Sequence, residues 1–207
     1  MATPVGERGG ARRNRSAELL EAAIHLFHEK GYASASIEDV AAVIGVRKGS
    51  VYHYIDSKED LLARIFEQSD RQSFALMEEI GALELPALER LRVFARTWTL
   101  WYLANIERAA VYLRDWNHLT GARRERVRMV RREYLQRVAA MIEAVKEEGD
   151  AAPGLETRYA AFFLFSVING LVSWYRRDGA GSAEQIAEAY AEMIVATVAA
   201  GARSAGE

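Results

Sequence analysis

The sequence predicts an all-α chain: a small N-terminal three-helix unit followed by a larger helical second domain. Three observations predict it. Apolar residues recur at i, i+3 and i+4 along most of the chain, no stretch alternates with period two over enough length for a strand, and there is no internal repeat. With 207 residues, half of them apolar, the chain has the material for two cores.

The first helix, about Arg13 to Lys30, places Leu19, Leu20, Ala23, Ile24 and Phe27 on one side and meets a natural stop at Gly31. His25 and His28 sit three apart on it, but no carboxylate or further histidine completes a metal-binding set, so both are expected at the surface. Ahead of the helix lie Arg8, Arg12, Arg13 and Arg15. This cluster reads equally as an arm that grips DNA or, with Gly6, Gly9 and Gly10 among it, as a solvated tail.

Between Ser36 and Leu62 the chain reads SIEDVAAVIGVRKGSVYHYIDSKEDLL, the local chemistry of a helix-turn-helix. Ser36 can cap a short helix, with Asp39 three positions on able to return a hydrogen bond. Ile37, Val40, Ala41 and Ile44 share a face; Ala41 is small where two helices cross, and Gly45 suits the left-handed backbone of a tight turn. Val51 then returns toward Ala41, and the reading helix runs from Arg47 to Ile55. Ser57 with Asp60 repeats the cap at the start of a third helix. Lys58 in that first turn opposes the helix dipole, which makes sense if a phosphate lies opposite. Lys48, Tyr52 and Lys58, with Ser36 at its helix start, are the candidate phosphate contacts; Ser50 and His53, with Arg47, are candidates for base edges. Net charge is only −2, but the positive charge is local, before the first helix and around the reading helix. Backbone affinity depends on the phosphates neutralised at the contact surface, so a basic head suffices.

Residues 15 to 62 resemble the N-terminal domain of TetR-family transcriptional regulators. The resemblance rests on LFHEKGY (Leu26 to Tyr32), SIEDVAAVIGV, RKGSVYHYI (Arg47 to Ile55) and SKEDLL. It implies a DNA-binding domain over residues 1–56, with the arm and helix-turn-helix, and a helical ligand-binding and dimerisation domain over 57–207. Arg47 departs from the pattern, standing where family members carry a Ser or Thr cap. Either Gly45 and the backbone suffice to start the helix, or Arg47 replaces the cap with a phosphate contact.

From Ser57 onward, breaks at Gly81 to Pro86, Asn105 to Glu107, Thr120 to Ala122, Gly149 to Gly154 and Asp178 to Ser182 divide the chain into six helices. Trp98, Trp101 and Tyr102 share a face at helical spacing, as do Tyr112 and Trp116, and Phe165 lies on a later helix; these can wall a pocket or make an ordinary aromatic core. Asn169 interrupts an apolar run from Tyr159 to Tyr175, and a buried amide needs a partner: a ligand, another helix or a second subunit. The expected ligand set is therefore Trp98, Trp101, Tyr102, Tyr112, Trp116, Phe165 and Asn169. The last two helices, about Leu155 to Arg176 and Ala183 to Ala200, carry wide apolar faces rich in small residues, which predicts a homodimer through a four-helix bundle with its twins. Two-fold symmetry then sets two reading helices about 34 Å apart on a palindromic double-stranded operator.

The segments GLVSWYRRDG with SAEQIAEAY, and IERAAVYLRDWNHL, are similar to a TetR branch that senses acyl-coenzyme A thioesters. That similarity implies a repressor released by an acyl-CoA, with Arg123, Arg124, Arg128, Arg176 or Arg177 meeting phosphates at the pocket mouth; a solvated basic face is the plain alternative for these arginines. A free hydrophobic drug or signal molecule, as in efflux regulators, is the other effector class.

The chain has no cysteine, so disulfides, thiolate metal sites and cysteine catalysis are excluded. No glycine-rich phosphate loop, metal-ligand cluster or nucleophile with a base at motif spacing points to an enzyme, a cofactor or catalytic residues. The nearest pair, His53 with Asp56, falls on the DNA-facing segment. No apolar run approaches the roughly 20 residues of a bilayer span, and residues 1–15 lack the apolar centre of a secretion signal, so a cytoplasmic protein without membrane contact is expected. A structural nucleoid protein, binding DNA without sequence preference, remains the other non-enzymatic class.

Overall fold

The computed structural model describes residues 5–199, with side chains from residue 15 onward. The side chains of Arg8, Arg12 and Arg13, and with them the choice between arm and tail, lie outside the described residues. All regular elements among the described residues are helices: α1 Val5–Lys30, α2 Ile37–Val43, α3 Lys48–Val51, α4 Lys58–Gly81, α5 Ala87–Ala104, α6 Ile106–Asp115, α7 Gly121–Glu147, α8 Thr157–Asn169, α9 Leu171–Trp174 and α10 Ala183–Ala199, with a 3-10 turn over Trp116–His118 between α6 and α7.

The head forms around a small apolar cluster. Leu19, Ala23, Ile24 and Phe27 of α1 meet Ile37, Val40 and Ala41 of α2, Val51 of α3, and Leu61, Leu62, Ile65 and Phe66 of α4. Ala41 and Val51 are both buried, so the crossing of α2 and α3 depends on a small residue facing a short branched one. Between them the chain reverses at Gly45, whose φ of 68° is left-handed. The Val46 N–H closes back on the Ala41 carbonyl at 2.9 Å, satisfying a carbonyl at the end of α2.

The second core is larger. Leu91, Phe94, Ala95 and Leu103 of α5 pack with Val138, Ile142 and Val145 of α7, Ala161, Leu164 and Ile168 of α8, and Ala191, Ile194 and Val198 of α10. Helix α10 runs along α5, pinned at its outer edge by Arg92 with Glu192 and Arg96 with Glu188. Helix α4 belongs to both cores. Its N-terminal third packs in the head and its far end, Met77 and Ile80, in the second core. At 1.5 Å rise per residue its 24 residues span about 36 Å.

The two parts are strapped together by α6, the 3-10 turn and the start of α7. Val111, Leu119 and Val127 complete the head core from this side. Arg114 donates to the carbonyls of Phe27 and His28, Glu59 accepts from the Thr120 N–H at 2.8 Å, and Asp60 accepts from Arg123 at 3.0 Å.

Three elements differ from the sequence expectation. Helix α1 starts at Val5 rather than near Arg13, passing through Gly6, Gly9 and Gly10. The α-helical part of the reading element stops at Val51; from there Tyr54 N–H bonds to the carbonyl three residues back and the chain leaves by a tight turn before Ile55. The helix expected from Leu155 to Arg176 is two pieces, α8 and α9, with the break at Gly170.

Replacing Gly45 by Ala puts a Cβ on left-handed backbone and is expected to cost about 1–2 kcal/mol, read as a lower urea midpoint with an unchanged slope. Asn at the same position should recover part of the loss, and an unchanged midpoint for the Ala variant would show that the turn does not depend on this conformation.

Candidate functional site

The reading surface is built from local bonds. Ser36 caps α2 by accepting from the Asp39 N–H at 3.1 Å, and Asp39 returns the bond to the Ser36 N–H at 2.8 Å. The Ser36 hydroxyl, then the Lys30 ammonium, then the Ser36 N–H hold the Asp39 carboxyl down at about 2. Arg47 stands at the N-cap of α3 with extended backbone and no side-chain cap bond, so Gly45 and the backbone start this helix unaided. Arg47, Lys48, Tyr52 and His53 are exposed, Ser50 is half-buried, and Val51 turns inward, so the polar residues of α3 and its exit face away from the core. Lys48 lies 3.9 Å from Glu38, a loose exposed pair.

Lys58 is placed otherwise. Its ammonium donates to the Ala33 carbonyl at 3.3 Å and sits 4.3 Å above the Tyr32 ring, and burial lowers its pKa. This lysine fastens the loop before α2 to the start of α4. Ser57 caps α4 through the Asp60 N–H, but the return bond from Asp60 goes to the Asp56 N–H, one residue earlier than in the first cap.

In the second part, α4, α5, α6, α7 and α8 enclose a cavity of about 550 Å³, within the usual range for small-molecule sites. Trp98, Trp101, Tyr102, Tyr112, Phe165 and Asn169 all line it. Trp98 is the hub of the aromatic wall: its ring meets Tyr134 edge-on at 5.6 Å, Trp101 at 5.8 Å and Phe165 at 6.4 Å. Trp116 does not line the cavity. Helix α6 ends at Asp115, and the 3-10 turn swings Trp116 off the face of Tyr112 to pack against the head core, with Arg131 above its ring at 4.9 Å. None of the five arginines suggested for the mouth lines the cavity: Arg123 pairs with Asp60 and Arg128 with Glu125, for example. Exposed Arg131 and Arg132 on α7 line it instead.

Several lining residues escaped sequence reasoning: Ser69, Asp70 and Ser73 on α4, Arg108 on α6 and Tyr134 on α7. A signal existed for the first three. The buried stripe of α4 runs Leu62, Phe66, Ser69, Ser73, Met77 and Ile80, apolar at both ends and polar in the middle. The two serines satisfy themselves on the carbonyls four residues back, at 3.0 and 2.7 Å. Asp70 accepts from the Tyr134 hydroxyl at 3.1 Å. Burial pushes its carboxyl up to about 6; the Tyr134 hydroxyl, the Arg126 charge and the Tyr112 hydroxyl pull the other way, and Glu67 adds to the rise.

A raised carboxyl means that the folded state holds this proton more tightly than the unfolded chain, so stability falls as pH rises from about 4, the ordinary aspartate value, through about 6. Replacing Asp70 by Asn keeps an acceptor for Tyr134 and removes that cost, on the order of 2–3 kcal/mol. The variant is expected to melt higher than wild type at pH 7.5 and level with it at pH 4; equal melting temperatures at pH 7.5 would refute the buried-carboxyl account.

Comparison with known proteins agrees with this architecture. Residues 84–198 match the family described as "Tetracyclin repressor-like, C-terminal domain", and residues 19–65 match "Bacterial regulatory proteins, tetR family". The chain is 25% identical over 196 residues, 94% of its own length and 96% of the relative's, to the HTH-type transcriptional repressor KstR2 of Rhodococcus jostii (strain RHA1). Among solved structures it superposes on the ketosteroid transcriptional regulator KstR2 of Mycobacterium tuberculosis with a TM-score of 0.84 and 23% identity, covering 89% of this chain and 95% of the other. It also superposes on AibR in complex with isovaleryl coenzyme A and operator DNA, with a TM-score of 0.77 and 22% identity, covering 89% and 98%. A head built on a capped helix-turn-helix, a second helical domain of matching extent and relatives covered almost end to end lead to one conclusion: the chain belongs to the TetR family of DNA-binding transcriptional regulators.

Proposed function

We propose that this protein is a homodimeric repressor released from a palindromic operator when a hydrophobic molecule with an anionic end, such as an acyl-coenzyme A, fills the cavity. The observation that carries the reading is the path of α4, which leaves the reading turn at Lys58 and supplies Asp70 to the cavity wall about 18 Å further along one helix. A ligand that prefers one position of that wall thereby prefers one position of the head, which is the condition for coupling.

Charge supports the effector class. Arg108, Arg131 and Arg132 line the cavity against a single carboxyl, Asp70, which is itself held partly neutral. The neighbour AibR, by its name, binds isovaleryl coenzyme A. A lipophilic cation, the kind of drug an efflux regulator senses, is favoured by Asp70 and the aromatic wall alone.

On the DNA side, Lys48 and Tyr52 contact phosphates, and Ser50, His53 and Arg47 face base edges. Ser36 and Lys58 act indirectly, because the hydroxyl of one is taken up in its capping box and the ammonium of the other by Ala33 and Tyr32. The dimer forms through α8 and α10. Helix α8 presents Tyr159 and Phe163 outward, and α10 presents Gln185, Ala189, Met193, Ala196 and Thr197. Phe163 is 43% exposed, Met193 53% and Trp174 52%, too much apolar surface on one side for a lone chain.

Replacing Lys48 and Tyr52 together by Ala is expected to weaken binding to an operator selected from random duplex DNA by about tenfold to a hundredfold and to reduce the salt slope by about one per lost phosphate contact. Ligand binding, followed by tryptophan fluorescence, should be untouched; unchanged operator affinity would reject the assigned surface. Changing Met193 to Asp should convert a light-scattering mass of two chains to one, and a dimer surviving both this and Phe163→Asp would place the interface elsewhere.

A further inference from the structure

Part of the polar lining of the cavity stands on α4 and α6, helices that also reach the head core, while Arg131, Arg132, Ser166 and Asn169 come from α7 and α8. Asp70 comes from α4, and Arg108 and Tyr112 lie one turn apart on one face of α6. The opposite side, between α5 and α8, is Trp98, Trp101, Phe162 and Phe165. Within the polar lining Arg108 holds an unusual position. Its side chain is only 7% exposed; Nη2 pairs with Glu21 of α1, while Nη1 has no hydrogen-bond partner. The Tyr102 hydroxyl is unpartnered as well, and burial raises its phenol pKa, which keeps it protonated; the Tyr112 hydroxyl faces the Asp70 carboxyl. All three residues line the cavity, and Arg108 Nη1 and the Tyr102 hydroxyl are sealed from water.

Two donors without an acceptor are a costly feature of a folded interior, and what they lack in common is an oxygen with free lone pairs. Resting on the reading of the cavity as an effector site, we propose that Arg108 and Tyr102 bind the carbonyl or carboxylate oxygen that terminates an apolar ligand, and that Arg108 relays the binding to the head by exchanging Glu21 for that oxygen. The guanidinium holds Glu21 through Nη2 alone, so a turn that brings the buried Nη1 to the oxygen draws Nη2 off Glu21. Glu21, largely exposed on α1, gives up the pair to water at small cost, whereas a buried oxygen of the ligand has nowhere else to turn. The apolar body then lies among Trp98, Trp101 and Phe165. One chemistry covers two sources: a thioester carbonyl whose coenzyme phosphates lie at Arg131 and Arg132, or a free carboxylic acid.

The test titrates the full-length protein with three probes of one chain length, following tryptophan fluorescence: lauroyl-coenzyme A, lauric acid, and S-dodecyl-coenzyme A, a thioether without the carbonyl. Wild type is expected to bind the better of the two carbonyl probes at least tenfold more tightly than the thioether. Arg108→Gln should erase that preference. Glu21→Gln should bind the probe as well as wild type or a few-fold better, yet lose at least two-thirds of the probe-induced drop in operator affinity. Should Arg108→Gln fail to fold, as judged by circular dichroism, the thioether comparison in wild type and the exposed Glu21→Gln variant carry the test. Tighter binding of lauroyl-coenzyme A assigns the thioester as source, and tighter binding of lauric acid assigns the free acid. Equal affinity of wild type for thioether and carbonyl probes overturns the Arg108 assignment while leaving the cavity as the effector site. Full coupling in Glu21→Gln overturns the relay. No binding of any probe to wild type overturns the effector class and this inference with it.

Discussion

The constraint on which the rest of the structure depends is the first turn of α4. Asp60, nearly buried, accepts from the Asp56 N–H, pairs with Arg64 on its own helix and accepts from Arg123 of α7. One carboxylate thus fixes where the reading segment ends, where α4 begins and how α7 lies across both. Because a packed helix moves as a body, a displacement of the wall at Asp70 is felt at Ser57 rather than absorbed between them. Loosening this corner would leave the head and the second domain each folded but no longer in register.

Polar groups inside the second domain follow a consistent logic. Where α4 packs against another helix its inner stripe is apolar, and where it faces the cavity the stripe becomes Ser69, Asp70 and Ser73. The serines are internally satisfied, Asp70 has Tyr134 and faces Tyr112, and Arg108 and Tyr102 are left incomplete. A domain selected for stability alone would bury Leu or Phe at these places. Their presence costs stability, and it falls where the cavity is.

The head was legible from the sequence because its determinants are local. Ser36 with Asp39 and Ala41 with Gly45 each act within four residues, so spacing alone reports them. The tryptophans of α5 were legible for the same reason, since a shared helix face is fixed by spacing. What spacing does not report is the partner across the fold. Arg108 reads as a surface arginine until α1 brings Glu21 to it, and Lys58 as a free ammonium until Tyr32 lies beneath it. Trp116 departs from the helical spacing because α6 ends at Asp115, where the chain tightens into a 3-10 turn and rotates every later side chain. The arginines that line the cavity lie one to two turns further along α7 than Arg123, Arg124 and Arg128, because the register of that long helix against the cavity is set by Val127, Val138 and Ile142, buried along its length.

Helix α8 has a second consequence. It is the wall of the cavity through Phe165 and Asn169, while Tyr159 and Phe163 stand on its outer side. In the proposed pairing that outer side meets the twin subunit, so a molecule in one cavity lies only about 10 Å, one helix thickness, from its neighbour's surface. If the pairing forms this way, filling one cavity would press on the packing that shapes the other and link the two occupancies. A regulator built this way answers a change in effector concentration with a curve whose steepness is set at α8, separately from the affinity set inside the cavity.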